Sequence, residues 1–373
     1  MRFLTLFVLC PVFIFTLNWI RIHWISENVV HVYGWYGIIP RTIISKFKEE
    51  TGIDIVYDIF DNNDILEAKL LAKSSGYDVV FPSFIPYAAR QLAMGAYQKF
   101  DLNLLPNLRN IDGILTEKFE QNGGNRNYLV PLFWGTIGIA YEKNVIAKIL
   151  PGVEIDYNTL FAPKKLKKLF HYGVSFPDEY VDIFPQIKAH LYKDAKKEDL
   201  VSDVYEYCRY LSRIRPFITK FSSSTITADL LSGDACIAIG SSDTSWRAMK
   251  IAKEVNKEIV YVIPKEGGIL WLDCIGIPQN APHKENAHKL INFLLRPEIA
   301  AQITNHSGIL VNVSNARDFI KKEIIDEDQV YPTDPNVLVR LKLGHSSKNT
   351  EEMKYEKVAA REWARFKMNA YLG

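Results

Sequence analysis

Two side chains in the stretch Ile263-Pro-Lys-Glu-Gly-Gly-Ile-Leu-Trp-Leu-Asp-Cys-Ile-Gly-Ile-Pro278 have the chemistry of a receptor for an organic cation. Trp271 and Asp273 are spaced i and i+2, so on a strand they share a face. An indole face attracts a cation, and a carboxylate beside it adds a charge-assisted hydrogen bond. An isolated Trp-x-Asp is more often a core tryptophan beside a structural acid, so the weight of the pair depends on the rest of the chain.

The elements before it alternate. Val29 to Tyr33 reads as a strand ending at Gly34-Trp35-Tyr36-Gly37, and Pro40 opens a helix with Ile43, Ile44 and Phe47 on one side, closed at Thr51-Gly52. Ile53 to Phe60 is a second strand. Asp64 and Glu67 have capping-box spacing for a helix running to about Lys73, and Tyr77 to Phe81 is a third strand, broken at Pro82-Ser83. Strands and helices in this order predict a parallel sheet covered by helices, whose ligands bind at the carboxyl ends of the strands. That rule places Trp35, Tyr36 and Ser83 at a crevice. The apolar segment Tyr128 to Tyr141, interrupted by Pro131, Gly135 and Gly138, suits a strand pair crossing between lobes. A second α/β stretch follows up to Ile263, and a charged, mostly helical tail runs from Asp318 to Gly373.

Composition excludes several classes. With 373 residues, 48% of them hydrophobic, the chain favours two domains over one core. Its 45 basic and 43 acidic residues leave a net charge of +2 with no long basic run, which gives no support to a nucleic-acid partner. Lys164, Lys165, Lys167 and Lys168 read as a solvated helix face. Cys208, Cys236 and Cys274 show no C-x-x-C spacing, and His283 and His288 are five apart, so neither a metal nor a redox cofactor is expected. No P-loop and no G-x-S-x-G nucleophile motif occurs. Phe3 to Ile20 carries no charge between Arg2 and Arg21, which makes residues 1–29 an export signal or a membrane anchor.

Five blocks resemble the periplasmic putrescine/spermidine-binding proteins of bacterial ABC transporters. They are Val32 to Trp35, Phe47 to Tyr57, Tyr77 to Ser83, Ile263 to Gly268 and Leu290 to Pro297, in a likeness that runs from about residue 30 to residue 335. The resemblance implies an α/β, two-lobed periplasmic binding protein of type II-like fold, each lobe a sheet flanked by helices, with a two-crossing hinge. It divides the chain into 30–138 plus 270–316 as lobe 1 and 139–269 plus 317–373 as lobe 2. Carried over by position, it supports Trp35, Ser83, Asp182, Trp271 and Asp273 as pocket residues, with Glu179 less secure because carboxylates are also favoured at helix starts.

The departures bear on the ligand. Where the family usually has a hydroxyl residue, an acid and a Tyr after the first Trp, this chain has Tyr36, Gly37 and Ile38. Ser241 and Thr244 stand where a Trp and often an Asp are found, with Asp243 one place earlier, and an aromatic is missing near Ile309. A diamine would then need Asp243 or Glu179 as its second clamp. The reading is a monomeric, non-enzymatic polyamine receptor that serves an ABC permease, either soluble in the periplasm after cleavage or tethered to the inner membrane by residues 3–20. The alternatives are a pocket retuned to another small organic cation, an anchored ligand-sensing domain, and, ranked last, an enzyme using Glu179, Asp182 and Asp273 as acids and bases.

Overall fold

A computed structural model describes residues 27–60, 62–73, 75–192, 200–332, 334–344 and 350–369. The apolar run at 3–20 lies outside them. Among the described residues no helix is long and apolar enough to cross a membrane.

The first three strands form as their patterning requires. β1 (Val29–Gly34) pairs in parallel with β2 (Asp54–Ile59) and with β3 (Val79–Val80). The helix Arg41–Thr51 between β1 and β2 buries Ile43 and Phe47 and stops at Gly52, whose φ of 72° is left-handed. The next helix, Asn63–Leu71, is capped by Asn62, whose side chain accepts from the Ile65 N–H at 3.0 Å. The expected Asp64–Glu67 box is thus replaced by a cap just upstream. A short Asx side chain can reach the free N–H groups of the first turn directly.

The segment expected to be a strand pair is one long strand, β4 (Leu129–Glu142). Its glycines do not turn the chain. At Gly135 an added Cβ would lie 2.4 Å from the Trp271 ring, so this residue is small to admit the indole. β4 runs antiparallel to β9 (Ile269–Gly276), with Gly135 opposite Trp271 and Phe133 opposite Asp273. Farther along, β4 pairs with β7 (Ile237–Ser241) and β8 (Ile259–Val262). β5 (Val174–Phe176) and β6 (Lys220–Phe221) continue in parallel beyond β7, while β10 (Leu310–Val311) and β11 (Lys342–Leu343) add to β4 and β9. The main path runs β2-β1-β3-β9-β4-β7-β5-β6, a ladder continuous from one half of the molecule to the other.

Two apolar cores flank this ladder. The first gathers Val32, Phe47, Phe81, Phe133, Leu272 and Leu290, and the second Ile139, Phe161, Phe176, Leu211, Ile237 and Trp363. Both β4 and β9 pass from one to the other: Phe133 and Leu272 lie in the first core, Ile137 and Ile269 in the second. The chain passes once more between Leu341 in the first and Tyr355 in the second. Of the residues expected to belong with lobe 2, the segment 226–263 packs Ile226, Leu230, Trp246 and Tyr261 into the first core, and in the tail the stretch 317–341 buries Ile320, Ile324, Val330 and Leu341 there too. Only the helix Thr350–Lys367 joins the second, through Tyr355, Val358, Trp363 and Phe366. Apolar side chains along 317–341 recur too irregularly to reveal which core they face.

Phe133 is fully buried and meets Phe81 edge-on, with ring centroids 5.5 Å apart. Phe133→Ala is expected to lower stability by about 3 to 5 kcal/mol, read from the urea unfolding midpoint.

Candidate functional site

A cleft of about 490 Å³ lies between the two cores, where β4 and β9 cross. Seven of the eight residues singled out in the sequence line it: Trp35, Ser83, Glu179, Asp182, Asp243, Trp271 and Asp273. Tyr36 does not, and 83% of its surface is exposed. β1 ends at Gly34 and the chain turns at Gly37 with φ +73°, so Trp35 packs on Phe60 at 4.4 Å while its neighbour points away. Of the positions where the family pattern is broken, Ser241 lines the cleft, Ile38 is core at 1% exposure and Gly37 is an exposed turn residue. Gly37 and Ile38 therefore take no part in the cleft wall.

Asp273 is built into the wall from three directions. Alternation on β9 turns Leu272 and Cys274 into the first core and leaves Trp271 and Asp273 on the cleft side. The Cys274 N–H donates to Pro82 O at 2.9 Å, which brings Ser83 alongside as an antiparallel bridge partner. Ser83 Oγ then donates to Asp273 Oδ1 at 2.7 Å, while the Ser83 N–H donates to Asn63 Oδ1 at 3.0 Å. No described residue donates to the other carboxylate oxygen. Burial lifts the Asp273 carboxyl to about 7; the Ser83 hydrogen bond opposes that rise and the Asp243 charge adds to it.

Asp182 comes from the second lobe, on the short turn Tyr180–Asp182 before the helix Phe184–Tyr192. Its carboxylate also has no donor among the described residues, and burial, with Glu179 beside it, raises its pKa to about 7. Glu179 lies exposed at the rim. Asp243 is different: Arg247 Nη2 donates to its Oδ2 at 3.0 Å, one turn along the helix Ser242–Ala252, whose N-terminus also favours an acid. A structural role is therefore enough to explain Asp243. Both cleft tryptophans hold a buried indole N–H with no partner among the described residues, a cost tolerated at the site.

Sequence reasoning missed Asn63, Tyr87, Tyr180, Tyr355 and Glu356, all on the cleft wall. Tyr180 lay legibly between the two acids. Tyr355 and Glu356 come from the C-terminal helix, where the spacing shows only an amphipathic surface. Among the described residues no lining residue is basic, and no group of three or more His, Cys, Asp or Glu could hold a metal ion.

Comparison with known proteins explains the architecture. Residues 42–332 match the model of the bacterial extracellular solute-binding proteins. The chain belongs to that family. Putrescine-binding periplasmic protein SpuD of Pseudomonas aeruginosa is 37% identical over 317 residues, covering 83% of this chain and 85% of that protein. Putrescine-binding periplasmic protein PotF of Escherichia coli is 32% identical over 349 residues, covering 92% of each. Among solved structures, the spermidine/putrescine substrate-binding protein PotD of Streptococcus pneumoniae superposes with a TM-score of 0.75 at 21% identity, covering 92% of this chain and 99% of that one, which shows the shared fold. The fold is thus the α/β two-lobed architecture of the family, built to hold a solute between its halves.

The raised carboxyls bear on stability. For Asp273 the folded pKa of about 7 exceeds the usual carboxylate value, so folding favours the protonated form. This contribution is fully present below about pH 4 and is lost as pH rises to 7. Asp273→Asn is therefore expected to make the ligand-free protein more stable than wild type at pH 8, by roughly 2 to 4 kcal/mol, and no more stable at pH 4, as read from urea unfolding at the two values.

Proposed function

We propose that this protein captures a polyamine, putrescine or spermidine, between its two lobes outside the cytoplasm and delivers it to the transmembrane subunits of an ABC permease. The reading is carried by one observation. Two carboxylates from opposite sides of the cleft, Asp273 and Asp182, lack a basic partner among the described residues and are lifted to about 7 by burial. Such groups favour a ligand that brings its own positive charges, and a diamine or triamine brings them at both ends of an apolar chain. The methylenes would lie against the faces of Trp35 and Trp271 while each ammonium exchanges hydration for a carboxylate. The names of SpuD and PotF point the same way.

The lobes that close are taken as 30–138, 270–316 and 317–341 on one side, and 139–269 with the C-terminal helix on the other, with Ile226, Leu230, Trp246 and Tyr261 of the second group reaching across into the first core. The protein works as a monomer, by binding without turnover, in the periplasm. Ser241 in place of an aromatic, together with Arg247 holding Asp243, favours one second reading, a pocket retuned to another small organic cation.

Putrescine and spermidine at a hundredfold excess over their dissociation constants are expected to add about 2.7 kcal/mol of stability in a thermal-shift measurement, and Asp273→Asn to remove that gain. A shift with control amino acids and none with either polyamine would overturn the proposal. Binding must also displace protons. Between pH 8 and pH 6 the affinity is expected to fall about tenfold for each of Asp182 and Asp273, with proton release visible by calorimetry in buffers of different ionisation enthalpy.

A further inference from the structure

Arg90 belongs to the first lobe, on the helix Ala89–Ala93, whose Ala89 and Leu92 pack against the first core. Its guanidinium is held in place before it reaches across the molecule. Nε donates to both oxygens of Glu67, at 3.1 and 3.0 Å, and Nη2 donates to Oε1 at 2.9 Å. Gln91, fully buried, steadies Glu67 from the other side at 3.0 Å. The guanidinium carbon stands 4.9 Å from the centre of the Tyr87 ring, which itself lines the cleft. This leaves Nη1, which donates to Glu356 Oε2 at 2.7 Å.

Glu356 belongs to the other lobe. Its helix, Thr350–Lys367, packs its apolar face into the second core and is tied there by Trp363 Nε1 donating to Asp178 O and by Arg215 Nη2 donating to Lys367 O, both at 2.6 Å. The Arg90–Glu356 contact therefore joins, at the cleft wall, a helix packed on the first core to one packed in the second. Its side chains are 20% and 13% exposed, a partly desolvated setting in which a charge-assisted pair outweighs a surface one.

We propose that Arg90 and Glu356 form an inter-lobe clasp that holds the cleft closed and slows the escape of solute. They are positioning residues for capture, with Glu67 pre-setting the donor. The inference rests on solute capture between the lobes and does not depend on which solute is captured.

The test compares wild type with Arg90→Gln, Glu356→Gln and the double variant. Glu258→Gln, which removes a surface pair to Lys143 outside the cleft, serves as control. The dissociation rates of putrescine and spermidine are read by stopped-flow tryptophan fluorescence, and the radius of gyration of the free protein by small-angle scattering. The clasp predicts that each single variant releases ligand about tenfold faster with little change in association rate, that the double variant is no worse than either, and that the control matches wild type. Unchanged dissociation in both single variants overturns it. So does a loss in Glu356→Gln with none in Arg90→Gln, since Glu356 would then be a direct ligand contact. If wild type binds neither amine, the polyamine reading fails and scattering alone decides. A larger radius in both single variants then supports the clasp, and no change overturns it.

Discussion

The pairing of β4 with β9 is the constraint on which the rest of this molecule depends. Each strand is shared by two apolar cores, so the same ladder that joins the lobes also forms the floor of the cleft between them. Because side chains alternate across a strand, the register that buries Leu272 and Cys274 also delivers Trp271 and Asp273 to the cleft. A slip by one residue would bury the carboxylate and expose the leucines. Gly135 completes the arrangement by letting the indole lie against the neighbouring strand.

The acids around the cleft divide by whether the protein itself neutralises them. Asp243 has Arg247 one turn along its own helix, and Glu356 has Arg90 on another element. Asp182 and Asp273 have no such partner among the described residues and carry the raised pKa values. A buried carboxylate without a cation disfavours its own ionisation. Tolerating two of them costs the empty protein stability, as functional sites commonly do. The same desolvation makes the site discriminating, since a neutral ligand of similar shape would leave both charges unmet.

Mechanically, the two strand crossings and the third passage before the C-terminal helix link the lobes by backbone. They are also linked by side chains, of which Arg90 and Glu356 are one pair. Motion about such a hinge need not disturb either core. What changes is which polar groups meet across the gap, and these contacts set how long a captured solute stays.

Much of this was legible in the chain itself. The alternation from Val29 to Phe81 reports local burial, and local burial depends on nearest neighbours in sequence, so strands, helices and the crevice at Trp35 and Ser83 could be read directly. The i, i+2 spacing of Trp271 and Asp273 fixes a shared face on any strand. Tyr36 could not be placed, because the direction of a side chain in a turn depends on a few dihedral angles that residue type does not reveal. Nor could most partners of the acids. Arg247 stands four residues from Asp243 on one helix, a spacing open to the sequence, but only the folded chain leaves nothing basic among the described residues against Asp182. Glu356 stands 266 residues from Arg90, and no periodicity links them. The sequence by itself determined most of the elements, because these follow from local patterning, and its likeness to a known family supplied the two-lobed fold class and most of the cleft residues. Only the tertiary structure decided which other charges are compensated and which face the solute, because beyond the helical pair Asp243–Arg247 compensation depends on distances between segments far apart in the chain.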